Sequence, residues 1–180
     1  MKKILVVVDY QNDFVDGALG FEKAVTLEKG ICCKVQQYLN NGHKVLFTYD
    51  THNEDYLQTR EGKNLPVPHC IEGTSGHDLY GKLNEYKDAE NTIHINKHSF
   101  GMSPYNIEEV KKQIGSSIDE IEITGVVTNM CVISNAVALQ SQYVNAEIIV
   151  DAALCAGFDE SLHEKALDVM SAMQIKVINR

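Results

Sequence analysis

Residues Ile123–Val132 read I-T-G-V-V-T-N-M-C-V, and the rest of the chain arranges itself around this stretch. The apolar run Ile121–Val127, with Glu122 and Thr124 interleaved, has the length and β-branched content of a buried strand. Thr128 and Asn129, both good N-cap residues, follow it, and a helix-compatible segment runs from Met130 to Tyr143. The sequence thus predicts a strand-to-helix turn with Cys131 in the first turn of the helix. Unpaired backbone N–H groups and the positive end of the helix dipole at such a place lower a thiol pKa. A lone cysteine is more often inert core filler. Only partners brought by other strands make this one a nucleophile.

Apolar runs that end in a polar residue recur on both sides. Lys3–Val8 precedes Asp9, His43–Tyr49 precedes Asp50, Thr92–Asn96 precedes Lys97, Ala146–Val150 precedes Asp151, and Gln174–Asn179 closes the chain. Between them lie helical patterns. One starts at Thr26 and carries Leu27, Ile31, Val35, Tyr38 and Leu39 ahead of a capping Gly42. Others cover Leu79–Tyr86 and Asn106–Ile114, and a last one is capped by Asp159, with Leu162, Ala166, Leu167, Met170 and Met173 on one face. Strands alternating with helices predict an α/β fold, a doubly wound six-stranded parallel sheet with helices on both faces. With the common order 3-2-1-4-5-6, strands one and four flank the switch point, where such sheets bind ligands at their carboxyl ends. Asp9, Asp50, Lys97 and the Cys131 turn would then share one rim.

The chain has 180 residues, 44% hydrophobic and 23% charged, which fits one domain over residues 1–180. A formal net charge of −9 argues against nucleic acid as a partner. Five cysteines without a disulfide framework or a C-x-x-C pair point to a reducing compartment, hence a cytoplasmic protein. The apolar run Ile4–Val8 is too short for a signal peptide or a membrane span.

A thiol, a carboxylate and an ammonium on one rim suit covalent hydrolysis: the carboxylate takes the thiol proton, and the cation favours the thiolate. The motifs carry a resemblance. D-Y-Q-N-D-F after the first strand, Lys97 after the third and G-V-V-T-N-M-C-V after the fourth resemble the isochorismatase-like cysteine hydrolases over nearly the whole chain. The resemblance implies a catalytic triad of Asp9, Lys97 and Cys131. It also implies a non-proline cis peptide at Val126–Val127 and an oxyanion hole from the N–H groups of Val127 and Cys131. Isochorismatases proper lack the nucleophilic cysteine, so Cys131 favours the amide-hydrolysing members.

The long polar stretch Thr51–His77 points to one branch. Asp50-Thr51-His52, then His69 within P-V-P-H-C-I-E-G-T, is similar to the nicotinamidase metal motif. The resemblance implies one divalent ion on Asp50, His52 and His69, zinc first and iron or manganese as alternatives, with Glu61 as a further candidate ligand. His43, His77, His94 and His163 read as solvated or half-buried. Nicotinamidases carry an aromatic residue three positions before the second metal histidine and often a tryptophan between the first two ligands. Pro66 and Thr51 stand there in this chain. Ring contacts are therefore expected from Phe14 and Phe100, with Tyr10 as a further option. The expected function is a metal-assisted cysteine amidase acting on a small-molecule amide, nicotinamide first, in a homo-oligomer. An N-carbamoyl or ureide hydrolase, or a non-catalytic thiol-bearing binding or redox protein on the same fold, are the alternatives.

Overall fold

The computed structural model describes residues 1–180. The strands are β1 (Lys3–Val8), β2 (Lys44–Asp50), β3 (Thr92–Lys97), β4 (Glu120–Val126), β5 (Glu147–Ala156) and β6 (Lys176–Ile178). The helices are α1 (Asn12–Val15), α2 (Glu22–Thr26), α3 (Glu28–Asn40), α4 (Arg60–Asn64), α5 (Pro104–Ile114), α6 (Ile133–Gln142) and α7 (Glu160–Ala172). All strand pairs are parallel, in the order β3-β2-β1-β4-β5-β6. The expected doubly wound sheet is therefore the observed one.

Side-chain alternation along the strands builds two cores. Ile4, Val6 and Val8 of β1 face the layer of α5, α6 and α7, packing with Val110, Leu139 and Leu167. Leu5 and Val7 face α3 on the other side, with Ile31, Val35 and Phe47. Because both faces are covered, the central strands read as continuous apolar runs. No helix is long and apolar enough to cross a membrane.

Several boundaries differ from the sequence reading. The helix expected from Thr26 is two helices meeting at Leu27, and the Thr26 hydroxyl donates to the Lys23 carbonyl, closing α2. The helix expected at Asn106 starts at Pro104, because Ser103 and Asn106 form a reciprocal capping box. Leu79–Tyr86 is a 3₁₀ turn over Gly81–Tyr86, and the polar stretch 51–77 holds α4 and two further 3₁₀ turns. Asp151 does not end its strand; β5 continues to Ala156 past an irregularity in its pairing with β4. That irregularity lies next to Gly125, whose φ is +113° and where a Cβ would come within 2.1 Å of the Val8 carbonyl oxygen. Only glycine lets β4 lie this close to β1 just before the cysteine turn.

Candidate active site

The strand order sets Lys97, Asp50, Asp9 and the Cys131 turn side by side, at the carboxyl ends of β3, β2, β1 and β4. Asp9 leaves β1 in the left-handed region, φ 46°, which Asp tolerates better than most residues. Its Oδ1 accepts a 2.6 Å bond from the Thr48 hydroxyl. Its Oδ2 lies 2.6 Å from Lys97 Nζ. Lys97, fully buried, extends from the end of β3 over β2 and meets the Asp9 side chain coming from the end of β1. On the way its Nζ lies 3.5 Å from Asp50 Oδ1, donates to the Ser99 carbonyl at 3.0 Å, and comes 3.8 Å from Cys131 Sγ. One ammonium thus touches both carboxylates and the thiol.

Burial raises the Asp9 pKa above its ordinary value; the Lys97 cation pulls it down and Asp50 pushes it further up. Burial alone would lower Lys97, but Asp9, Cys131 and Asp50 outweigh it and hold the ammonium charged. Burial also pushes the Cys131 thiol well above its ordinary value, against the pull of Lys97. This corrects the expectation of a lowered thiol pKa. Burial, with Asp9 and Asp50 nearby, outweighs Lys97 at this thiol; residues Thr128–Val132, moreover, form a wide π-type turn, not the first turn of an α-helix. Thr128 and Asn129 do not cap it either. Val127 stands at the cap position, and the Thr128 hydroxyl is hydrogen-bonded to His163 Nδ1 at 2.8 Å. His163, expected solvated or half-buried, is buried in this contact. The Val126–Val127 peptide is cis.

Beside the thiol site, four side chains converge. Asp50 Oδ2 lies 3.1 Å from His52 Nε2 and 3.4 Å from His69 Nε2, and Glu61 Oε1 lies 3.8 and 4.0 Å from the same nitrogens. Zinc bonds of about 2.0–2.1 Å in a tetrahedron require ligand atoms about 3.3–3.4 Å apart, so these donors need only small shifts to hold an ion. The His69 ring fits the same purpose. Its Nδ1 is 2.8 Å from the Val67 carbonyl, which fixes the proton there and leaves Nε2 to coordinate. The donor set of one aspartate, two histidines and one glutamate suits a divalent ion.

A cavity of about 270 Å³ opens over both centres. Cys131, Val127, Asp50, His69 and Phe14 line its inner part, and Leu19, Glu61, Leu65, Phe100, Met130 and Phe158 complete it. Phe14 meets the His69 ring edge-on, centroids 5.4 Å apart. Of the three residues expected to offer ring contacts, Phe14 and Phe100 line the cavity, at its inner and outer parts respectively. Tyr10 does not: it is fully buried, with its hydroxyl on the Ala24 carbonyl. Pro66 is exposed and its neighbour Leu65 reaches the cavity, while the Thr51 hydroxyl pairs with His77 Nε2 at 2.8 Å.

Other supporting residues escaped the sequence reading. The Gln11 amide brackets the Asp50 backbone, accepting from its N–H at 2.8 Å and donating to its carbonyl at 3.0 Å. Asn135 donates to the carbonyls of Cys131 and Phe100 and accepts from the Met102 N–H. Gln11 lies inside the quoted D-Y-Q-N-D-F motif, so a signal for it existed; for Asn135, one turn beyond Cys131, there was only proximity.

The family model for the isochorismatase domain matches residues 3–180. The chain belongs to the isochorismatase family. It is 32% identical over 177 residues to the isochorismatase family protein PncA of Bacillus subtilis strain 168, covering 93% of each chain. The crystal structure of nicotinamidase/pyrazinamidase PncA from Bacillus subtilis superposes with a TM-score of 0.86 at 30% identity, over 98% of this chain and 99% of that one. The pyrazinamidase of Pyrococcus horikoshii, solved in complex with zinc, shares the fold at a TM-score of 0.83 and 23% identity, with both chains covered in full.

Proposed function

We propose that this amide-bond hydrolase, folded as one domain, is a nicotinamidase that converts nicotinamide to nicotinate and ammonia through a thioester on Cys131. The observation that carries the reading is the single buried ammonium of Lys97, in contact with a carboxylate and a thiol at the inner end of a cavity that also reaches the metal donors. Asp9 accepts the Cys131 proton as sulfur attacks the amide carbon. The N–H groups of Val127 and Cys131 face the oxyanion that develops. Asp9 returns the proton to the amide nitrogen, the C–N bond breaks, and ammonia leaves the acyl thioester. Water then gives a proton to Asp9 and attacks the acyl carbon, and the departing sulfur takes that proton back as nicotinate is released. Lys97 keeps its charge throughout and orients the carboxylate.

Asp50, His52, His69 and Glu61 would hold the divalent ion. When bound, the ion supplies an electrophilic contact for the ring nitrogen. A zinc complex of a relative with the same fold supports a divalent metal here. The cavity wall suits a neutral ring, because most of its lining side chains are apolar and its charged residues Asp50 and Glu61 are acidic.

Ammonia release from nicotinamide by the purified protein, with hydroxylamine trapping of the acyl-enzyme, tests the reading. Wild type should release ammonia and yield the hydroxamate, and Cys131→Ala should do neither while keeping a cooperative unfolding transition. Turnover by Cys131→Ala, or N-carbamoyl compounds hydrolysed far faster than nicotinamide, would overturn it.

A further inference from the structure

The cavity has two chemically distinct ends. Its inner end holds the buried Asp50, His69 and Cys131. Its mouth is ringed by Leu65, Phe100, Met130 and Phe158, which are 37–48% exposed and together form one apolar collar. Phe158 is not a loosely placed ring: it packs on Phe21 with centroids 4.8 Å apart, so the wall it presents is fixed. A single pyridine ring anchored at the inner end leaves this collar in water. An apolar surface kept open at a cavity mouth marks a place where ligand is buried.

We propose that the mouth is a specificity subsite for an apolar substituent on the ring, making alkylated or ring-fused nicotinamides better substrates than nicotinamide itself. The inference rests on the nicotinamidase reading and adds a direction to it. With the ring nitrogen toward Asp50 and His69 and the carboxamide over Cys131, the ring carbon between those two anchors points inward. The carbon across the ring, C5, then points to the mouth. A group at C5 meets Leu65, Met130 and Phe158, and no charged side chain stands among them. A carboxylate or ammonium at C5 would lose its hydration there with no partner to replace it.

The test compares kcat/KM for nicotinamide, 5-methylnicotinamide, 5-ethylnicotinamide and 5-carboxynicotinamide in wild type, Phe158→Ala and Leu65→Ala. Each buried carbon should raise kcat/KM about threefold to fourfold, carried mainly by KM, and the carboxylate should lower it. Phe158→Ala should erase most of the alkyl preference, and because that ring is half exposed its removal leaves the fold intact. Dissociation constants of the same compounds for Cys131→Ala give a second readout free of chemistry, and should follow the same order. Nicotinamide turned over faster than both alkyl compounds, or an alkyl preference unchanged in both variants, overturns this inference and leaves the nicotinamidase reading standing. Alkyl compounds turned over where nicotinamide is not would support the subsite and reject nicotinamide as the substrate. No turnover and no binding of any of the compounds overturns both.

Discussion

Replacing Lys97 by methionine is the sharpest perturbation of this site. Methionine keeps much of the aliphatic stem and removes the charge. In the native protein the ammonium sits 2.6 Å from Asp9 Oδ2 and 3.5 Å from Asp50 Oδ1, with all three side chains at most 2% exposed. Removing one partner from a buried ion pair leaves uncompensated charge and costs about 3–5 kcal/mol. That is a large part of the roughly 5–15 kcal/mol that holds a domain together. With a urea m-value near 2 kcal/mol/M, the unfolding midpoint should fall by about 2 M.

The pH dependence identifies the cause. Asp9 already has its pKa raised by burial, and losing Lys97 removes the cation that pulled it down. A carboxyl whose folded pKa lies above its unfolded value of about 3.9 stabilises the protein below that value and loses this contribution as pH rises through the folded pKa. The deficit of Lys97→Met should therefore be smallest near pH 5 and widest near pH 8. Turnover should fall sharply, because a protonated Asp9 cannot take the thiol proton and an ionised one has lost the cation that orients it. Urea titrations of both proteins at the two pH values, at matched metal content, make the measurement. A deficit below about 1 kcal/mol that does not change with pH would refute the assignment of Lys97 as counter-ion to Asp9.

Three further outcomes follow from the same geometry. His69→Ala should reduce the metal content of the purified protein and raise KM more than it lowers the unfolding temperature; an active, metal-free wild type that gains nothing from zinc, iron or manganese would reject the metal centre. Alkylation by iodoacetamide, followed by mass spectrometry, should modify exposed Cys33 well before Cys131 at pH 7, with the Cys131 rate climbing as pH rises, because burial pushes that thiol up; faster labelling of Cys131 at pH 7 would contradict it. Burial holds the His163 pKa below its ordinary value, so below about pH 6.5 the unfolded chain takes up a proton that the native ring refuses. Stability should therefore fall from pH 7 to pH 5 more steeply in wild type than in His163→Gln, and equal slopes would argue against it.

The rim was legible because strand ends are legible. The central strands β1 and β2 announce themselves as apolar runs, and the first polar residue after each is placed at the carboxyl edge by the fold rather than by its own chemistry. Asp9 and Asp50 were found in this way, and Lys97 after the mixed segment Thr92–Asn96; the strand order was taken as the common one for such sheets, and the structure has it. The cavity mouth was not legible, since Leu19, Leu65, Met130 and Phe158 come from four separate connections and share no spacing. The turn at Thr128–Val132 misled for a related reason. Cap propensity is a local preference, and here the Thr128 hydroxyl is claimed by His163, a residue 35 positions away on α7. The thiol environment was misjudged with it, because helix-dipole reasoning assumes an open first turn and Cys131 is 3% exposed.

The two central carboxylates differ in a way that divides their labour. Both are buried and both touch Lys97, yet Asp9 is raised and Asp50 is lowered. For Asp50, burial is outweighed by Lys97 together with the rings of His52 and His69, so it stays ionised and suited to serve as a ligand. For Asp9, burial wins, so a proton can reside there at modest cost, as a general base requires. The raised thiol belongs to the same arrangement. A resting thiolate would add a third anion to two carboxylates that share one ammonium. Under the proposed mechanism the proton therefore moves only when the sulfur lone pair has an amide carbon to enter, and the negative charge passes to the carbonyl oxygen. Lys97 then need not change its charge at any stage, and every proton passes through Asp9, between it and sulfur, the leaving nitrogen or the attacking water.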